Sequence, residues 1–341
     1  MPFPGYPPPP PSVSVELWDN AMTVKTKEQA WAYASQFGHV KNPYVGKLAK
    51  ESEVSEPPIE AMEGFMFGCD PEAFVLGPYG VAVSAAGLLP GTKAEPFKVE
   101  FGAVQVDGMA AEFNIDPVSN FKDFNRNIST VMAQLEKMLP AGHTLSVVPF
   151  MRFSEEAFAA APDEAKELGC SPDFNAWTGA VNPPPADPDD PLMRCAAGHI
   201  HLSWTPPDAV NLADPQHIMN CRDIVKQLDW YLGGWSVRMD KDPTRRNLYG
   251  RAGACRFKPY GVEYRVLSNF WITTRDRRLA VWNRMQKAIM DMRKSYMPDR
   301  AGDGYNSQLI NSINTTAPDL YLEKSFPYPL KTADPYRARY A

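Results

Sequence analysis

Four apolar segments of this chain are each interrupted by two polar or ionisable residues spaced two apart: Asp70 and Glu72, Glu112 and Asn114, His199 and His201, Glu263 and Arg265. Side chains at i and i+2 share one face of a strand, so each segment, read as a strand, lends a polar pair to one side of a sheet. The flanking residues are strongly apolar: Phe67 and Phe74 around the first pair, Phe113 and Ile115 around the second, Ile200 and Leu202 in the third, Val262, Tyr264 and Val266 in the fourth. Burying an unpaired charge is costly, so the polar groups must meet partners or solvent. A solvated face of an antiparallel sheet accounts for any one pair taken alone. Four pairs converging on one face would instead make a cage for divalent cations and the phosphates they bridge.

The remaining pattern predicts how these segments are connected. A strand is expected over 64–76 with a break at Pro71, a hairpin over 103–115 turning at Asp107-Gly108, and a strand over 143–153. Between the last two, 120–139 reads as an amphipathic helix capped by Asn120 and stopped by Pro140, with Phe121, Phe124, Ile128, Val131, Met132 and Leu135 on one side. A short helix follows at 162–168, and the proline-rich stretch 181–191 can only be a loop. Pro215 at the first turn and Asp214 as cap open a helix that Gly233-Gly234 is expected to end near Leu232. A strand over 261–271 and a helix over 275–295 with a basic outer face complete the core, followed by one more short helical stretch. The β-helix-β rhythm of a doubly wound parallel sheet is missing, so the class expected is antiparallel α+β.

The ends read differently from the middle. The chain carries 34 prolines in 341 residues, about twice the usual share of roughly 5%, and positions 7–11 are all proline, which favours a polyproline II arm. Thr26 and Gln29 signal a capped helix ending before Gly38, and 41–61 reads as a linker. The expected organisation is a proline-rich arm with helix and linker over 1–61, one catalytic domain over 62–300, and an extended, tyrosine-rich tail over 301–341. The net charge of −5 argues against nucleic-acid binding. Five widely spaced cysteines without a C-x-x-C pair exclude a disulfide framework and a zinc ribbon, and no membrane span is evident, so a cytoplasmic location is expected.

Two histidines and a carboxylate by themselves suggest zinc in an open catalytic site. An excess of carboxylates with arginines suggests Mg²⁺ or Mn²⁺ on a nucleotide triphosphate. Arg245, Arg246, Arg251, Arg256 and Arg265 lie in a short span with Gly250, Gly253 and Gly261, which favours phosphate. There is no Walker loop, no dinucleotide glycine fingerprint and no G-x-S-x-G elbow. Trp230, Trp235, Trp271 and Trp282 are expected in the core.

The ordered set Phe67-Gly68-Cys69-Asp70-Pro71-Glu72, Asp107-Gly108-Met109-Ala110-Ala111-Glu112-Phe113-Asn114, Gly198-His199-Ile200-His201-Leu202, and Tyr249-Gly250-Arg251 followed by Gly261-Val262-Glu263-Tyr264-Arg265 resembles the carboxylate-amine ligases of the glutamine synthetase and glutamate-cysteine ligase superfamily, in particular the phage-type amidoligases. The resemblance covers roughly residues 64–295. It implies a curved antiparallel sheet forming a funnel, binding ATP and two or three Mg²⁺ or Mn²⁺ ions. It assigns Asp70, Glu72, Glu112, His199 and Glu263 to metal, and His201, Arg251, Arg256 and Arg265 to the nucleotide. Arg265, Glu263 and Arg251 would carry the transfer of phosphate to a small-molecule or peptide carboxylate, whose acyl phosphate an amine then attacks. Asp at position 70, where the larger enzymes carry Glu, and Asn114, where another carboxylate is expected, put the number of metals in question. Two other readings stand beside this one: a metal-dependent hydrolase built on His199 and His201, and a structural, virion-associated protein that kept the fold and docks through its arm and tail onto a protein partner or subunit.

Overall fold

The segment around Asp70 and Glu72 forms one long strand, β1 (Met66–Leu76), and the rest of the sheet is built outward from it. The computed structural model describes residues 64–167, 173–182, 190–205, 211–294 and 303–318, all within a unit spanning Ile59–Ala341. The expected proline arm, the helix from Thr26, the linker, most of the 181–191 loop, Cys170 and the tail beyond 318 lie outside the described residues.

Among the described residues twelve more strands follow: β2 (Ala82–Val83), β3 (Phe97–Val99), β4 (Gly102–Asp107), β5 (Ala110–Ile115), β6 (Thr144–Ser146), β7 (Phe150–Arg152), β8 (Phe174–Asn175), β9 (Ala180–Val181), β10 (Met193–Cys195), β11 (Gly198–Ser203), β12 (Ala254–Lys258) and β13 (Gly261–Tyr264). The helices are α1 (Phe121–Met138), α2 (Glu155–Ala160), α3 (Asp163–Lys166), α4 (Pro215–Leu228), α5 (Gly234–Met239), α6 (Thr244–Leu248), α7 (Arg275–Arg293) and α8 (Asp303–Thr315). The path of the main sheet is β3-β4-β5-β1-β11-β13-β12-β8-β9, antiparallel throughout, with β2 and β6 also on β1; β7 and β10 form a separate ribbon. The fold is α+β with an antiparallel sheet, as the pattern predicts.

The expected break at Pro71 does not occur. The amide of Glu72 donates to the Ala197 carbonyl at 2.9 Å, so the even-numbered amides of β1 face β11 and position 71 faces the other way. On that side the ladder to β5 spans only Glu72 and Ala73, so proline's missing N–H removes no sheet bond.

Three other expectations are corrected. The strand over 143–153 is two strands, because Pro149 falls between β6, on β1, and β7, on β10. The strand over 261–271 ends at Tyr264, where the carbonyls of Arg265 and Val266 accept from the Arg245 guanidinium at 3.2 and 2.9 Å; a 3₁₀ turn, Asn269–Thr273, follows. Gly233-Gly234 does not end a helix: α4 runs through a π-helical turn, Asp229–Gly233, into α5. A Cβ at Gly233 would lie 2.9 Å from Tyr264 Oη and 3.0 Å from Asp229 Oδ1, so the glycine serves close approach rather than termination.

Alternation sorts the sheet into two faces. Phe67, Cys69, Phe113, Ile200, Leu202, Val262 and Tyr264 are buried against α1, α4, α7 and α8. Asn120 caps α1 by accepting from the Asp123 amide, and Phe121, Phe124, Ile128, Val131 and Leu135 face inward as expected. Trp230, Trp235, Trp271 and Trp282 are all buried, the last two in aromatic contact with Phe124. Leu309 and Ile313 of α8 are fully buried in the same core, so the start of the expected tail belongs to it. The opposite face carries the polar pairs. It is bounded beyond Glu72 by a second apolar cluster of Phe74, Ala110, Met109 and Phe153. No helix among the described residues is long and apolar enough to cross a membrane.

Candidate active site: a polar line across six strands

Residues directly opposite in antiparallel strands share a face, so the strand register alone aligns the polar pairs. Gln105 on β4 is opposite Glu112 on β5, which is opposite Glu72 on β1. Two residues back along β1, Asp70 is opposite His199 on β11; His201 is opposite Glu263 on β13, and Glu263 is opposite Arg256 on β12. Six members of the four pairs, with Gln105 and Arg256 at the ends, thus form one continuous line on the face away from the helices.

The line contains two centres. At the first, Asp70, His201 and Glu263 place one ligand atom each within 4.8 Å of one another. His201 Nε2 is 3.1 Å from Asp70 Oδ2, and His199 Nδ1 is 3.3 Å from Asp70 Oδ1 and 3.5 Å from Glu263 Oε1. Glu263 Oε2 is approached by Lys258 Nζ at 3.0 Å and by the Arg256 guanidinium at 3.6 Å. Despite these charge contacts, Asp70 Oδ1, His201 Nε2 and Glu263 Oε2 are buried without hydrogen-bond geometry to any partner. Two carboxylates and an imidazole converging on one point are the donor set that suits a divalent cation.

At the second centre Glu72 accepts from the Ala197 amide at 2.7 Å and Glu112 accepts from Gln105 Nε2 at 2.7 Å. Glu72 lines a cavity of about 70 Å³ together with Asp107, Cys195, His199, Arg245 and Arg265. Arg265 joins the centres: it donates to Asp173 Oδ1 at 2.6 Å and to Glu263, and its NH1 is 3.4 Å from His199 Nδ1.

The ionisations follow from these neighbours. Burial pushes the Asp70 carboxyl up, but His201 and His199 outweigh it and hold it well below the usual carboxylate range. Glu263 resists burial and the Asp70 charge in the same way: His199, Arg265 and His201 bring it to about 2. Burial and the Asp107 charge raise Glu72 to about 7, and burial with Asp70, Glu72 and Asp107 raises Glu112 well above its normal value. Burial and Arg265 lower His199, whereas Asp70 overcomes burial to raise His201.

Asp70, Glu263, His199, His201, Arg256 and Arg265 are therefore brought together. His201 rather than His199 completes the three-residue cluster. Glu72 and Glu112 fall outside it, and among the described residues it is the one cluster of this kind, where two or three ions were expected. Arg251 is not brought in: it is exposed on the loop that Gly250 and Gly253 bend at positive φ, and its Nε donates to the Arg246 carbonyl. Arg245 takes the inward place. Gln105 could be read from the hairpin register, and Arg245 belongs to the arginine and glycine span, but Asp173 and Tyr260 carried no sequence signal, since only the fold brings them to the line.

No family model matches this chain, and no curated protein matches it. Among solved structures it is similar to a bifunctional glutathione synthetase from Pasteurella multocida, with a TM-score of 0.37 and 12% identity, over 76% of this chain and 45% of that one. The chain thus spans less than half the length of that protein.

Proposed function

We propose that the protein is an ATP-dependent carboxylate-amine ligase that joins a carboxylate to an amine through an acyl phosphate. The observation that carries this reading is the polar line itself, in which a buried cluster of two carboxylates and a histidine lies beside Arg265, Lys258 and Arg256. The motif resemblance supports the same reading. Hydrolysis at a metal-bound water needs no such run of cations, whereas phosphoryl transfer needs positive charge around the transferred group.

In this reading Asp70, His201 and Glu263 hold Mg²⁺ or Mn²⁺, which when bound supplies neutralising charge to phosphate oxygens. Arg265 is held in place by Asp173 and Glu263, so its guanidinium is pre-oriented toward the transferred phosphoryl group. The nucleotide lies on the Glu263 side, where Arg256 and Lys258 are 38% and 27% exposed. A cavity of about 70 Å³ is too small for a nucleotide, being well under the roughly 300 Å³ of an ordinary ligand pocket. It receives only the reacting ends of the substrates, between Glu72 and Arg245.

The test is ADP release by the full chain with ATP and Mg²⁺ in the presence of pools of carboxylates, amino acids, amines and peptides. Release that requires both a carboxylate and an amine is expected. Calorimetry showing no nucleotide binding under any metal condition would refute the reading.

A further inference from the structure

The hairpin turn between β12 and β13 is bolted down to an unusual degree, and one side chain gains from it. The turn joins Lys258 to Gly261 through Pro259 and Tyr260. Two-residue hairpins favour primed turns, which require positive φ at one or both central positions. Proline is locked at negative φ, and Tyr260 is not among the positive-φ residues. The turn therefore lacks the intrinsic preference that would hold it, and outside partners hold it instead. Lys258 O accepts from His217 Nε2 at 2.9 Å, Pro259 O from Thr205 Oγ1 at 3.1 Å, Tyr260 O from the Trp204 amide at 3.0 Å, and Gly261 O from Cys221 Sγ at 3.4 Å. Every carbonyl from 258 to 261 has such a partner. The phenol this fixes stands with its oxygen 2.5 Å from Nδ1 of His201, whose Nε2 faces Asp70 in the three-residue cluster.

We propose that Tyr260 is a positioning residue that fixes the ring and tautomer of His201, so that Nε2 offers its lone pair to a divalent cation shared with Asp70 and Glu263. The inference rests on the ion site of the proposed function but not on the ligase reaction. An imidazole can bind a cation through Nε2 only if the remaining proton sits on Nδ1, and that N–H needs an acceptor. The Tyr260 oxygen is that acceptor. Because a hydroxyl both donates and accepts, the same contact also serves the ion-free protein, where Tyr260 donates to Nδ1 and Nε2–H faces Asp70. The phenol thus accommodates both tautomers without moving the ring.

Tyr260→Phe keeps the ring and removes the oxygen. Mn²⁺ binding to the full chain without nucleotide, followed by the EPR signal of free Mn²⁺, is expected to weaken about tenfold or more, the usual effect of losing a partner behind a metal-bound histidine, while the thermal transition of the ion-free protein shifts little. A second measurement needs no variant: in the ¹⁵N-histidine spectrum of the wild-type protein, saturating Mg²⁺ should convert His201 to the Nδ1–H tautomer. Equal Mn²⁺ affinity in wild type and Tyr260→Phe, retention of Nε2–H under saturating Mg²⁺, or no Mn²⁺ binding by the wild type would each overturn the proposal. Tyr260-dependent Mn²⁺ binding by a protein that releases no ADP would uphold it while removing the ligase reading.

Discussion

Replacing Glu263 by glutamine keeps the shape of a side chain that is 1% exposed and removes its charge from Arg265, Lys258, Arg256 and two histidines. The folded-state value of about 2 against an ordinary 4.5 is a depression of roughly 2.5 units, and at 1.36 kcal/mol per unit this corresponds to about 3 kcal/mol. The low end of the 3–5 kcal/mol range for breaking a buried pair is the right comparison, because Arg265 keeps Asp173 at 2.6 Å. A depressed carboxylate contributes fully above its unfolded value and loses that contribution as pH falls toward its folded value. Urea denaturation should therefore show Glu263→Gln less stable by about 3 kcal/mol at pH 7, narrowing to about 1 kcal/mol at pH 3. Saturating Mn²⁺ should raise the wild-type midpoint, by about 2.7 kcal/mol at a hundredfold excess over Kd, and leave the variant unmoved. A gap at pH 7 below about 1 kcal/mol, or one that does not narrow in acid, would refute the charge argument. Equal Mn²⁺ shifts in both proteins would refute the placement of the ion.

Two further outcomes test the frame behind the site. Asp229 is fully buried in the π-helical turn and accepts from Trp177 Nε1, the Gly253 amide and Tyr264 Oη at 2.6, 2.7 and 2.7 Å. Burial raises it to about 6, above the ordinary 3.8; a raised carboxylate contributes most below its unfolded value and loses stability as pH rises through the folded one. Asp229→Asn should gain on the wild type by roughly 2.4 kcal/mol between pH 4 and pH 7 in urea titrations, and Asp229→Ala should be the worse variant throughout because three donors lose their acceptor; a pH-independent difference, or equal Asn and Ala variants, would contradict this. A Cβ on Gly261 would run into the Leu202 carbonyl, whereas one on Gly304 in α8 meets nothing within 4 Å. Gly261→Ala should lower the thermal transition by an amount worth about 1–3 kcal/mol, and Gly304→Ala should raise it slightly, by up to about 1 kcal/mol; the same sign for both would count against the packing described.

Much of the framework was readable because it depends on local periodicity. Asn120 and Asp214 cap helices as their side chains predict, and the Asp107-Gly108 hairpin pairs Gln105 with Glu112. Two of the departures share a cause: at Pro71 and Gly233 the tertiary surroundings override the local meaning of proline and glycine. Pro71 survives inside β1 because its ring nitrogen faces β5 just beyond the end of the short ladder at Glu72 and Ala73, which depends on the neighbouring strands. Gly233 continues a helical rod because Asp229 and Tyr264 need the space. Arg251 and Arg245 are indistinguishable as neighbours of glycines, yet only Arg245 lines the cavity.

By itself the sequence determined that four polar pairs lie on one side of their strands, since spacing by two settles the face of a pleated strand whatever surrounds it. It did not determine which member of each pair meets which. The offset between β1, β11 and β13 decides that: it sets Asp70 against His199, His201 against Glu263, and Glu72 against Glu112 outside the cluster. Register between strands distant in the chain is chosen by the packing of the whole apolar face, and a shift of two residues would keep every side chain on its face while exchanging its partner. Which histidine joins Asp70 and Glu263, and which tyrosine stands beside it, are therefore decided only by the tertiary structure.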